Sequence, residues 1–105
     1  MAKKSSSIGI IGLGKFGMCL ANELVLSGKE IVCIDKDEKK VKKALDFCEY
    51  AFVCEEITKA NLEETGFKVC SAIVNCIGEH MDTALFATLY ALSLGVNKVI
   101  AMSNT

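Results

Sequence analysis

No proline occurs in the 105 residues, and 51% of them are apolar, so the chain is neither a linker-rich protein nor a disordered tail. Charge of one sign is also missing. Twelve basic residues face thirteen acidic ones, and the net charge of −1 supplies no basic face for nucleic acid and no polybasic patch for a membrane surface. Long hydrophobic runs are absent too: the longest holds five residues between charges, too short for direct insertion across a bilayer as a helix. Histidine is reduced to His80, and no two cysteines stand as a C-x-x-C pair. A metal centre therefore has no ligand spacing to build on. His80 has no cysteine or serine placed beside it for nucleophilic catalysis.

What is present suits one domain. A chain of this length buries about 60–65% of its unfolded surface, enough for one sheet and its covering helices. The six cysteines (Cys19, Cys33, Cys48, Cys54, Cys70 and Cys76) would fit a disulfide-stapled secreted protein. Cys33 and Cys76 instead sit inside apolar runs where valine or alanine would serve equally well. That context points to reduced, buried thiols in a cytoplasmic protein. Residues 1–7 hold two lysines and three serines with no apolar stretch behind them, and are expected to be a flexible leader rather than a signal peptide. Residues 8–105 remain as a dinucleotide-binding domain.

The pattern behind that assignment opens the domain. Ile8-Gly9-Ile10-Ile11 reads as a buried strand and runs into Gly12-Leu13-Gly14-Lys15-Phe16-Gly17, where a helical periodicity begins. In a G-x-G-x-x-G turn the first glycine permits the tight turn off the strand. The second has no Cβ to block a pyrophosphate, and the third lets the helix pack close to the sheet. The free N–H groups of the first helical turn then face the anion. Such turns also arise by chance, so the next strand matters. Ile31–Ile34 is apolar, and Asp35 stands at its end, eighteen positions after Gly17. That is the separation expected of a carboxylate accepting hydrogen bonds from ribose hydroxyls. Asp35 disfavours a 2′-phosphate, an effect partly offset by Lys36 beside it. Lys15 can reach a phosphate oxygen, the alternative being a solvated side chain.

Strand and helix patterns alternate along the whole chain. Helices are expected at Lys15–Ser27, Glu38–Leu45, Lys59–Thr65 and His80–Leu94. The first buries Phe16, Leu20, Ala21 and Leu24 and ends at Gly28. The second is capped by Asp37 and turns Val41, Ala44 and Leu45 inward, and Gly66 and Gly95 stop the other two. Strands are expected at Ile8–Ile11, Ile31–Ile34, Tyr50–Cys54, Ala72–Ile77 and Lys98–Met102. Together they make an α/β Rossmann-type three-layer fold, a parallel sheet of five strands in the order 3-2-1-4-5. The nucleotide crevice falls at the carboxyl ends of strands one and four, where Gly78 and Glu79 would approach the ligand.

The 80–94 helix is apolar on two sides. Met81, Leu85, Thr88, Leu89 and Leu92 make one stripe; Phe86, Tyr90 and Leu94 make another, with Ala84, Ala87 and Ala91 between. A helix of this kind needs cover on two faces. A second subunit supplies it, giving a homodimer or higher ring through this helix and strand five. Packing of Phe86 and Tyr90 on a neighbouring helix is the plainer alternative.

Four segments spanning almost the whole chain resemble the nucleotide-binding N-terminal lobe of potassium-transport regulators, the RCK or KTN domain of TrkA N-terminal type. They are Gly12–Gly17 with its lysine and phenylalanine; Leu20-Ala21-Asn22-Glu23-Leu24 through Gly28 to Ile34-Asp35-Lys36-Asp37; Ile73-Val74-Asn75-Cys76-Ile77-Gly78; and Leu94 through Ala101, followed by Asn104. One segment departs from the pattern. Such domains usually carry Gly-Asp-Ala-Thr after strand three, the acid lying near the adenine. Here Cys54-Glu55-Glu56-Ile57-Thr58 puts Glu55 at the acidic position and Ile57 where the threonine belongs.

The resemblance implies NAD(H), or ATP or ADP, as ligand. Gly12, Gly14, Lys15, Phe16, Gly17, Asp35, Lys36, Glu55, Ile77, Gly78 and Glu79 would surround it. It also implies a regulator rather than an enzyme, cytoplasmic at the inner face of the membrane and acting on a membrane potassium channel or transporter subunit. Family members usually continue beyond strand five into a further strand and crossover helix, and whether this chain is a piece or a minimal subunit stays open. Two other classes stay open on the residues. One is the dinucleotide half of an NAD-dependent oxidoreductase, for which no segment is left to carry a substrate acid or base. The other is a redox sensor using the six thiols.

Overall fold

In the computed structural model, residues 7–77 and 81–101 are described, with side chains in the last helix taken from Phe86 onward. β1 (Ile8–Ile11) is the middle of a five-stranded sheet. β2 (Ile31–Asp35) and β4 (Ala72–Asn75) flank it, and β3 (Tyr50–Val53) and β5 (Lys98–Ala101) form the edges. Every pairing is parallel, with Ile10 opposite both Cys33 and Val74. The order is therefore the expected 3-2-1-4-5. The expected leader falls, but for Ser7, outside the described residues, as do His80 and Met102.

Alternation along the strands divides the core into two layers. Ile10 and Cys33 point to one face, where they meet Ala21 of α1 (Lys15–Leu26) and Val41 and Ala44 of α2 (Glu38–Ala44). Ile11, Ile34 and Ile73 point to the other, against Leu62 of α3 (Lys59–Glu64) and Ala87 and Ala91 of α4 (Met81–Ser93). A 3₁₀ turn at Phe67–Val69, which the residue patterns did not announce, buries Phe67 completely in that second layer. The ring sits against Gly9, where a Cβ would come within 2.5 Å of it. No helix among the described residues is long and apolar enough to cross a membrane.

Element ends shift by a residue or two. Ser27, Leu45 and Thr65 cap their helices rather than continue them, and Asp35 is the last residue of β2. β3 ends at Val53 and β4 at Asn75.

The facing of three apolar residue sets differs from expectation. Phe16 is 52% exposed, because the face of α1 against the sheet is set by buried Gly17 and Ala21, and Phe16 lies about a third of a turn away. Leu45 is exposed where α2 has already ended. From Phe86 onward α4 buries Ala87 and Ala91, with Leu94 buried just past its end, whereas Leu89 and Leu92 are half exposed. Small alanines let α4 lie close to the sheet, and the larger leucines are turned outward.

Candidate functional site

A cavity of about 760 Å³ opens at the carboxyl ends of β1, β2 and β4. Gly12 and Gly14 form one wall, Asp35, Lys36, Asp37 and Lys40 a second, and the 54–58 loop a third. Ile77, Phe86 and Tyr90 close the fourth.

The three glycines of the motif have separable roles. Gly12 has φ +99°, and a Cβ there would also press to 3.2 Å on the backbone at Cys76 and Ile77. At Gly17 a Cβ would stand 2.0 Å from the Gly12 carbonyl oxygen, so this glycine brings the helix against the turn. At Gly14 nothing in the protein lies within 4 Å of a Cβ. Its missing side chain serves the open cavity rather than packing. α1 begins there with no side-chain cap and no acid in its first turn, so its leading N–H groups stay unfilled by side chains.

Asp35 is held in place from two sides. Its Oδ2 accepts from Leu13 N–H at 2.6 Å, inside the glycine turn, and its Oδ1 accepts from Asp37 N–H at 2.8 Å. Each oxygen keeps a lone pair for a further donor. Asp37 caps α2 by accepting from Lys39 N–H at 2.9 Å.

The 54–58 loop is tied down as well. Cys54 N–H donates to the Asp35 carbonyl at 3.0 Å, and Asn61 Nδ2 donates to the Glu56 carbonyl at 2.7 Å. Thr58 Oγ1 accepts from Asn61 N–H at 3.1 Å and so caps α3. Ile57, in the expected threonine position, turns inward onto the core. Glu55 and Glu56 are both exposed on the rim. Burial, with Glu64 nearby, pushes the Cys54 thiol up.

On the β4 side, buried Asn75 directs the chain. Its Oδ1 accepts from Ile77 N–H at 3.1 Å and its Nδ2 donates to Thr88 Oγ1 at 2.9 Å, fixing the strand exit to α4. Burial pushes the Cys76 thiol up to about 11, so it stays neutral.

Of the residues singled out from sequence, Gly12, Gly14, Asp35, Lys36, Glu55 and Ile77 line the cavity. Lys15 and Phe16 are exposed and do not line it, and Gly17 acts from beneath the turn. Gly78 and Glu79 lie outside the described residues. Sequence reasoning missed Lys40, Phe86 and Tyr90 as cavity residues. The two aromatic rings stack at 6.3 Å, and their i, i+4 spacing was visible, but it was read only as a stripe to be covered.

Known proteins resemble this chain over most of its length. The model of the TrkA-N domain family matches residues 8–105. The Ktr system potassium uptake protein A of Vibrio alginolyticus is 30% identical over 95 residues, 90% of this chain and 43% of that protein. The Ktr system potassium uptake protein C of Bacillus subtilis is 28% identical over 90 residues, 86% of this chain and 41% of its own length. The chain thus spans less than half of these relatives. Among solved structures, the NAD(P)-binding domain of an exopolyphosphatase-related protein from Archaeoglobus fulgidus superposes with a TM-score of 0.71 at 22% identity, covering 96% of this chain and 73% of that one. Solved enzymes also share the fold, at identities no higher than 21%, a likeness of fold alone.

Proposed function

This chain belongs to the TrkA-N domain family, and from that premise we propose that it is a nucleotide-sensing, non-catalytic regulator of potassium transport. The observation that carries the reading is the Asp35 carboxylate, tethered to the glycine turn and facing a cavity whose Gly14 wall is open. A volume of about 760 Å³ falls in the range of small-molecule and cofactor sites. The glycine turn and α1 receive phosphate, and Asp35 takes the ribose hydroxyls. Glu55 stands at the adenine end. Exposed Lys15, at the start of α1, extends its ammonium to the phosphates, and contacts from Gly78 and Glu79 belong to the same proposal. The ligand is NAD(H), or ATP or ADP, and NADPH is disfavoured because Asp35 repels its 2′-phosphate, an effect that Lys36 partly offsets.

Regulation requires that the nucleotide bind two assembly states with different affinity. The assembly is a homodimer or ring built on the outer face of α4, where Leu89 and Leu92 are exposed, and on edge strand β5 with exposed Ile100. By analogy with the Ktr relatives, that assembly acts on a membrane potassium transporter subunit from the cytoplasmic side.

Calorimetric titration with NADH, NAD, NADPH, ATP and ADP tests the ligand. NADH or ATP binds, NADPH binds little, and Asp35→Ala weakens binding by about 1–3 kcal/mol. Binding of none of the five removes the sensing function. Turnover of a 2-hydroxy acid or alcohol with NAD would instead favour an oxidoreductase half.

A further inference from the structure

A second site lies at the amino ends of β2 and β3, away from the nucleotide crevice and independent of it. Cys33 on β2 and Cys48 in the loop between α2 and β3 are both buried, and their sulfurs are 3.8 Å apart. A small cavity of about 150 Å³ reaches Cys48 but not Cys33, and exposed Lys29, Glu30 and Glu49 stand in its walls. That volume exceeds the roughly 30 Å³ share of one water several times over and admits a peroxide molecule. We propose that Cys33 and Cys48 are an oxidisable dithiol, Cys48 meeting a peroxide and Cys33 closing an intramolecular disulfide.

The chemistry balances. Cys48 gives up its proton, its thiolate attacks one peroxide oxygen and the O–O bond breaks; Cys48 becomes a sulfenic acid, and the departing hydroxide takes up the released proton and leaves as water. Cys33 sulfur then attacks the Cys48 sulfur, the S–O bond breaks, and a second water departs with the Cys33 proton. Two thiols are oxidised by two electrons, and one peroxide is reduced to two waters.

The division of roles follows from the surroundings. The cavity gives access to Cys48 and not to Cys33. Their mutual contact pulls the Cys48 thiol down against burial, while the same contact and burial hold Cys33 up. In the resting state the Cys48 thiol also lies 3.5 Å from the Ile31 and Tyr50 carbonyl oxygens, to which it can donate. Closing the bond brings the sulfurs together by roughly 1.8 Å, to the ~2.05 Å of a disulfide. Cys48 sits outside any helix or strand, between α2 and β3, and it is this side that moves on closure.

The test is graded hydrogen peroxide on the reduced, folded chain at neutral pH, with a denaturing alkylation quench and mass spectrometry. Trypsin leaves Cys48 and Cys54 on one peptide, so a second cut after Glu49 separates them. The expected product has lost the mass of two hydrogens, carries a Cys33–Cys48 bridge, keeps its circular dichroism and reverts with dithiothreitol. Cys54→Ala retains the bridge. Cys33→Val abolishes it and leaves a Cys48 sulfenic acid that dimedone traps. The same oxidation in urea scatters bridges among the six cysteines. If the folded chain gives that scatter, gives Cys48 oxidation with Cys33 still alkylatable, or gives no bridge at all, the proposal is wrong.

Discussion

Gly14 and Gly17 stand three positions apart in one motif, yet a methyl group has opposite consequences at the two. At Gly17 it meets a backbone carbonyl at 2.0 Å, and either the helix or the turn must move. Gly17→Ala is expected to lower the unfolding free energy by about 1–3 kcal/mol in a urea melt. At Gly14 it enters open space with φ −71°, which alanine adopts freely. Gly14→Ala therefore costs under about 1 kcal/mol of stability, while nucleotide affinity measured by calorimetry falls at least tenfold. Equal losses of stability in both variants would show that Gly14 is a packing glycine instead. The motif and Asp35 were legible from sequence because their spacing is local and their chemistry is fixed. Gly9 was not, because what excludes its side chain is Phe67, a residue distant in the chain and brought over by an unannounced 3₁₀ turn.

Helix and strand existence could be read from periodicity, but the facing of each helix could not. In α4 two apolar stripes compete, and periodicity alone does not rank them. Close approach decides in favour of Ala87 and Ala91, which leaves Leu92 53% exposed. Leu92→Glu should accordingly leave the melting temperature near that of the parent and dissociate the proposed dimer in sedimentation velocity. A monomeric parent would dispose of that interface. The departure in the 54–58 loop likewise became intelligible only in three dimensions. Thr58, one place late against the family pattern, is the α3 cap. Thr58→Ala is expected to destabilise the domain by about 0.5–2 kcal/mol in thermal melts, with the cavity wall loosened alongside it.

At the scale of the whole molecule, two thiols held neutral, Cys70 and Cys76, give it a pH signature at the alkaline end. Burial pushes both Cys70 and Cys76 from the ordinary 9 up to about 11. Folding thus favours their protonated form, so their contribution is intact below pH 9. It is lost between about pH 9 and 11, where only the unfolded chain ionises. The urea midpoint should drop between about pH 9 and 11, and drop less in Cys76→Ala; an unchanged drop in that variant would acquit the thiol.

The sheet order has a different consequence, for the history of the chain rather than its equilibrium. β1 precedes the other four strands of this sheet in the chain and occupies its middle. Its flank on the β4 side stays bare until residues around Ser71, which bonds to Ser7 across 64 positions, have been made. A nascent chain therefore carries an apolar strand with one open edge until that segment has been made, and productive folding waits on non-local closure.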